Sequence, residues 1–162
     1  MIDELPTRAA LTVAAVLLLA TGLSLLGLAD EDALRGAAHG LAAHVARQID
    51  ALAGAEGELL VRGGVGVGGE LSLPAGLAGR PYRLEIRSAS VTVIAGGHAA
   101  AVALGKSVLP FAPDRASYTS GDLAARSASI VAADVGDVFL VERTERFVDG
   151  VPARLTFVHL PH

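Results

Sequence analysis

An uncharged apolar run near the N-terminus is the strongest pattern along this chain. It extends from Ala9 to Ala29 without a charged residue or a proline. As a helix rising ~1.5 Å per residue, the run would be roughly 31 Å long, which matches the hydrocarbon core of a bilayer. We therefore predict a membrane anchor at 9–29, preceded by a short segment, 1–8, that is cytoplasmic or removed as a leader.

The helical pattern continues beyond the apolar run. No proline occurs between Asp30 and Ala53, and apolar residues recur there at three- and four-residue steps, which predicts a stalk helix at 30–56 with one apolar stripe. This stripe consists of Leu34, Ala38, Leu41, Val45, Ile49 and Leu52. Either the following domain packs on the stripe, or neighbouring copies or a partner helix do. The sequence leaves both alternatives open, and we take the stripe as a candidate assembly surface.

Two alternatives to a retained anchor remain. Gly27 and Ala29 are small residues of the kind that precede a signal-peptidase site, so the run could be a cleaved signal. It is longer than the usual apolar core of such signals, however, and Asp3 and Glu4 accompany the single preceding Arg8. The run could also be a helix buried in a soluble protein. A retained anchor, with the N-terminus inside and the rest of the chain outside, fits the pattern best.

The hydrophobic period changes from helix to strand after Glu58. The clearest case is Tyr82–Arg87, in which apolar residues alternate strictly with charged ones, as in a half-buried antiparallel strand. Further strands are predicted at 58–62, 70–73, 91–95 and 99–104. The stretch 105–123 has no clear period and contains prolines, so we predict a long surface loop there with a short helix at its end.

A hairpin is predicted at the C-terminus. Two apolar runs, 138–148 and 151–160, flank Asp149-Gly150, a favoured two-residue hairpin turn. Pro152 indicates that the last strand lies at a sheet edge. In that strand we expect Leu155 and Phe157 to face inward, and Arg154 and Thr156 to face solvent.

These elements define the predicted architecture. The fold class is α+β, with a long N-terminal (transmembrane) helix at 9–56 followed by a small antiparallel β-sandwich-like head at 57–162. About 110 residues remain after the helix, which is enough for one small domain and too few for two.

Composition excludes several classes of function. The net charge of -4, from 17 acidic and 13 basic residues, argues against nucleic-acid binding, which requires a basic surface. The absence of cysteine excludes disulfides, thiolate metal sites and thiol chemistry. Tryptophan is also absent and aromatics are sparse, so a stacking platform for bases or sugars is not expected.

The motifs that could carry chemistry are weak. Residues 64–69 satisfy G-x-G-x-x-G, but Pro74 follows too closely for the helix that a dinucleotide site requires. The histidines show no ligand spacing; they are His39, His44, His98, His159 and His162. An acidic cluster is interrupted by Arg143 and Arg146, so a solvated strand face is the default and a cation site the alternative; its members are Asp134, Asp137, Glu142 and Glu145.

No arrangement predicts catalysis. The chain contains no G-x-S-x-G elbow, and no histidine or acid can be assigned to activate a particular serine. We therefore expect no enzyme activity, no cofactor, no metal and no small-molecule substrate.

Two stretches carry a family resemblance. Arg8-Ala9 before Ala10-Leu11-Thr12 and the apolar run looks like a prepilin-peptidase site, and 73–84 with 91–97 is similar to a strand pair in archaeal pilin-like proteins. The chain thus resembles archaeal type IV pilin-like proteins, which implies processing at Arg8, Ala9 and Ala10 and a β-rich head outside the cell. Ala14 would stand where major pilins typically have a glutamate, which implies a minor or pilin-like component.

The resemblance and the long helix together define the expected function. We expect a structural subunit of a cell-surface filament that assembles through its helix with copies of itself or with other pilin-like subunits, located in the cell membrane or in the filament. The alternative is a single-pass membrane-tethered binding module, of the envelope-layer or archaellum stator type. Neither nucleic acid nor a small molecule is an expected partner.

Overall fold

The computed structural model describes the backbone of residues 4–69 and 71–161, and the side chains of residues 29–69 and 71–161. Its helices and mostly antiparallel sheets confirm the α+β class. In chain order the described elements are α1 (Glu4–Gly54), β1 (Leu59–Val65), β2 (Ser72–Leu73), β3 (Tyr82–Arg87), β4 (Ser90–Ala95), β5 (His98–Ala103), β6 (Ser117–Tyr118), α2 (Ser120–Arg126), β7 (Val131–Asp134), β8 (Val138–Val148) and β9 (Val151–His159).

The strands form two sheets. The first sheet has the order β2-β1-β8-β6, with β9 paired to β8; its β1–β2 and β6–β8 pairs are parallel and its other pairs antiparallel. The second sheet has the order β5-β4-β3-β7 and is entirely antiparallel. Long β8 holds the first sheet together, because it pairs with β1 along its first half and with β9 from Leu140 to Val148.

Helix α1 packs against β4 and β5 of the second sheet and against β8 of the first. All six residues of the apolar stripe are at most 9% exposed and belong to one core cluster with residues of both sheets. Burial of a Leu or Ile side chain contributes about 1.5–3 kcal/mol. The stripe is therefore covered by the chain's own sheets, which corrects the prediction that it is an assembly surface. The predicted boundary between stalk and head is corrected too, because 34–53 lies in the head's core.

Contacts at both ends of this buried stretch fix α1 on the second sheet. At one end Arg80 forms an ion pair with Asp30 at 3.3 Å, and the Leu34 side chain lies against Gly96 in the β4–β5 turn. At the other end the Asp50 carboxylate accepts hydrogen bonds of 2.9 Å from the backbone N–H groups of Gly105 and Lys106. Since 96 precedes β5 and 105 follows it, β5 runs alongside α1 in the same direction.

Basic side chains from other parts of the head lie at the C-terminus of α1. Its last turn contains no basic residue, but the Arg143 guanidinium on β8 donates a hydrogen bond to the Ala53 carbonyl oxygen. The Lys106 ammonium lies beside Gly54. Cations at this position stabilise a helix because its last carbonyl groups carry partial negative charge.

Most strand predictions agree with the structure. β3 and β8 have the predicted bounds, and the Asp149-Gly150 hairpin forms, with Asp149 at a φ of 50° and Gly150 at 82°. The predicted loop at 105–123 contains β6 and the start of α2. The strand β7 was not predicted, because only Val131 in its four residues is strongly apolar.

The predicted faces of β9 need a correction. Phe157 is fully buried as expected, but Thr156 is 5% exposed instead of facing solvent, and Leu155 is only half-buried. Both faces of the strand are covered at this point. Phe157 lies beneath Phe111 and Tyr118, whereas Thr156 accepts a hydrogen bond of 3.3 Å from Arg143.

Candidate functional site

The predicted processing residues Arg8, Ala9 and Ala10 lie outside the residues whose side chains are described. The same is true of the predicted anchor up to Leu28. Within the part of the chain that was searched, residues 29–69 and 71–161, no helix is both long and apolar enough to cross a membrane.

A polar network on β8 joins the start of β1 to the C-terminal hairpin. The Glu58 carboxylate accepts hydrogen bonds from the Thr144 hydroxyl at 2.9 Å and from the Glu145 N–H at 3.1 Å. These bonds, the backbone one first, favour the ionised form and lower the pKa of Glu58. Arg146 donates to the Thr144 hydroxyl at 2.9 Å, so the single hydroxyl of this buried threonine both donates and accepts a hydrogen bond.

The network continues to the C-terminus through Glu142. Its carboxylate lies 3.8 Å from Arg146 Nη2 and 3.7 Å from His159 Nε2. Together with Leu59 and Leu60, residues of the network border an open depression of about 320 Å³. Its carboxylates are bonded to a hydroxyl or paired with a cation, and these bonds join β1 to β8.

A second cluster covers the outer face of β9. Phe111, Tyr118 and Phe157 form an aromatic group with ring centroids 5.5–6.1 Å apart. The Arg126 guanidinium lies 4.9 Å from the Phe111 ring centroid and forms two hydrogen bonds, of 2.7 and 2.8 Å, with the Asp114 carboxylate.

Asp114 is the most perturbed carboxyl of this cluster. The hydrogen bonds from Arg126, and then the one from the Tyr118 hydroxyl, hold the pKa of Asp114 well below its usual range. Helix α2 brings Arg126 to this position. It begins with a capping box in which the Thr119 hydroxyl and the Asp122 carboxylate each accept the other residue's backbone N–H.

The predicted acidic cluster is not brought together as one site. Asp134 forms hydrogen bonds of 2.8 and 3.1 Å with Arg83, and Asp137 accepts from the Asp134 N–H. Glu142 and Glu145 lie on opposite faces of β8 because their positions differ by an odd number. Among residues 29–69 and 71–161, no group of three or more His, Cys, Asp or Glu is placed to hold a metal ion.

The other predicted motifs are also dispersed. Gly64 of the G-x-G-x-x-G motif is inside β1, and the motif leads into β2 rather than into a helix. His39 is exposed on α1, His44 and His98 are half-buried, and His159 belongs to the network described above.

Two exposed surfaces were missed by the sequence reasoning. At the β8–β9 tip, Phe147 and Val151 are 50% and 64% exposed. On β5, Ala99, Ala101 and Ala103 are exposed along the edge of the second sheet. The sequence feature that indicated the exposed β8–β9 tip was a pair of large apolar residues beside the hairpin turn. The signal for the second was a predicted strand with no charged residue.

Comparisons of this chain with protein-family models, curated proteins and solved structures found no match.

Proposed function

We propose that this chain is a structural, pilin-like subunit of a cell-surface filament, which assembles through its N-terminal helix and displays a β-sandwich-like head. The observation that carries the proposal is the packing of α1 from Leu34 to Ala53 inside the head's core. A head built around the end of a helix has no hinge between them, so the position of the helix in an assembly sets the position of the head. A helix that only tethers the head to a membrane does not require such a rigid connection.

The surface for assembly is then the apolar run at 9–29. The stripe beyond it is occupied by the head, and the exposed face of α1 from Asp30 onward carries Glu31, Asp32, Arg35 and Arg47. An uncharged helix surface suits a membrane and, after extraction, packing against other helices. The subunit is therefore proposed to reside in the cell membrane or in the filament, with other pilin-like subunits as partners.

Purified surface filaments provide the test. Mass spectrometry should identify the chain among the filament subunits, with an N-terminus at Ala10 if processing follows Ala9. Leu18→Asp, which places a charge in the apolar run, should remove the chain from filaments, whereas Arg47→Asp on the exposed face of α1 should not. A mature N-terminus at Asp30 would mean that the run is a cleaved signal and would exclude this mode of assembly.

The alternative is a membrane-tethered binding module of the envelope-layer or archaellum stator type. The exposed Phe147 and Val151 at the β8–β9 tip favour it, because exposed apolar groups at a protruding turn can insert into a partner. A chain found in the membrane fraction and in no filament would support this alternative.

A further inference from the structure

The outer edge of β5 carries main-chain groups without a partner. The Leu104 N–H donates to the Ala89 carbonyl, and antiparallel pairs alternate between bonded and non-bonded, so the even-numbered residues of β5 bond to β4. Ala99, Ala101 and Ala103 therefore turn their N–H and C=O groups away from the sheet. All three are exposed, and nothing in the described part of the chain bonds to these groups.

The other sheet edges are protected. On β9, Pro152 has no N–H, Arg154 is charged, and Leu109 bonds to Thr156 and Val158. β7 is only four residues long, and the Asp137 carboxylate occupies the Asp134 N–H. β2 and β6 contain two residues each. Charge, proline and short length are the usual means of preventing unwanted strand pairing, and β5 has none of them.

We propose that β5 is a strand-addition site and that its occupant is β5 of a second copy of this chain. The two strands pair antiparallel about a two-fold axis beside Ala101, which places Ala101 opposite itself and Ala99 opposite Ala103. This register forms about six main-chain hydrogen bonds and satisfies every outward group of the three residues. A register centred on Ala100 or Val102 would leave one of those residues in each copy without a partner.

The shape of the head permits this pairing. Because α1 lies over β4 and β5, and strands are ~4.8 Å apart, the two copies of α1 would lie roughly 10 Å apart. That distance is typical of packed helices, which have axes about 8–10 Å apart. Gly36 and Gly40 on α1 have open space beside them, and small residues of this kind let two helices approach closely.

The two-fold axis also sets the direction of the helices. Since β5 runs in the same direction as α1, antiparallel pairing of β5 makes the two helices antiparallel. Copies inserted in one membrane from the same side have parallel helices and cannot pair in this way. The contact therefore joins heads presented by facing membranes or by different filaments. This last step rests on the proposed function, whereas the strand pairing does not.

Cysteine cross-linking of the full chain in detergent tests the register, because the natural sequence contains no cysteine. Ala101→Cys should give a disulfide-linked dimer on oxidation, since paired Cα atoms lie about 5.5 Å apart. Ala103→Cys alone should not, because its two copies would be about 13 Å apart along the strands. A mixture of Ala99→Cys and Ala103→Cys chains should cross-link. No dimer from Ala101→Cys, or equal dimer from Ala103→Cys, would overturn the proposal.

Charge at the edge provides a second test that does not depend on oxidation. Ala101→Lys should shift the full chain from dimer to monomer in sedimentation, because two like charges would face each other. Ala132→Lys, at the protected edge of β7, should leave the dimer intact. Mixing Ala101→Lys with Ala101→Glu should restore pairing. Unchanged sedimentation of Ala101→Lys would overturn the proposal.

Vesicles test separately whether the contact joins heads on facing membranes. Liposomes that carry the full chain with its head outward should cluster, and those with Ala101→Lys should stay dispersed. Cross-linking without clustering would overturn the facing-surface placement and leave the strand pairing supported.

Discussion

At position 63 the neighbouring ring of Phe139 leaves room only for a glycine. Gly63 of β1 pairs with Phe139 of β8, and a Cβ at Gly63 would lie within 2.7 Å of three atoms of the fully buried Phe139 ring. The backbone there is not in the left-handed region, so the demand for glycine comes from space and not from φ. The sequence shows a glycine-rich connection but not this contact, because the ring comes from a strand far along the chain.

The first prediction concerns this contact. Gly63→Ala should lower the free energy of unfolding by about 1–3 kcal/mol, because the added methyl group must displace a packed ring. Gly68→Ala is the matched control, since it has open space and no positive φ, and it should leave stability nearly unchanged. Denaturant unfolding measures both. Adding Phe139→Leu to Gly63→Ala should recover part of the loss, and no recovery would mean that the ring is not the cause.

Asp114 gives a pH dependence. The pKa of Asp114 is lowered in the folded protein, chiefly by Arg126, so its contribution to stability is present above its ordinary pKa of 3.8 and is lost as the pH falls below that value. Asp114→Asn should therefore reduce the fall in melting temperature between pH 5 and about pH 2. Glu56→Gln, at an exposed position, should not. Parallel pH profiles for Asp114→Asn and the natural chain would contradict this account.

At the scale of elements, alternation predicted a strand wherever one face met the core and the other met solvent. β3 and β4 satisfy this condition, and so does the first half of β8, where Phe139 and Val141 enter the core. The rule failed for β9, because the loop that covers Phe157 is distant in sequence. It also missed β7, which is short and Ala-rich. Neither the Glu58 network nor the β5 edge could be predicted, since both depend on which strands become neighbours.

The third prediction concerns helix α1. Ile49→Ala should lower the free energy of unfolding by about 2–5 kcal/mol, because Ile49 is fully buried against the sheets. Val45→Asp should prevent folding of the head altogether, since it buries an unpaired charge. Arg47→Asp, on the exposed face, should change stability by less than about 0.5 kcal/mol. Thermal melting distinguishes these results from a stripe used only for assembly, whose variants would keep a stable monomer.

At the scale of the whole molecule, the buried side chains of α1 from Leu34 to Leu52 belong to one core cluster with both sheets. The sequence showed an apolar stripe that required a partner, and periodicity alone could not say whether that partner was the same chain or another. In the structure the partner is the same chain, which also contacts both ends of this stretch of α1, at Asp30 and at Ala53. The proposed assembly surfaces therefore lie before residue 30 and at the edge of β5.

The last prediction uses two fragments to test whether the apolar stripe of α1 is part of the fold or a surface for assembly. A fragment from Asp30 to His162 keeps the helix that covers β4 and β5, so it should melt cooperatively and associate no further than the dimer paired through β5. A fragment from Glu58 to His162 lacks Leu41, Val45 and Ile49, and exposes Val91 and Val93 of the second sheet. It should aggregate or show no cooperative transition, because exposed apolar sheet faces associate. Circular dichroism with thermal melting compares the two, and similar cooperative melts would show that the head folds without α1 and that the stripe remains open to other subunits.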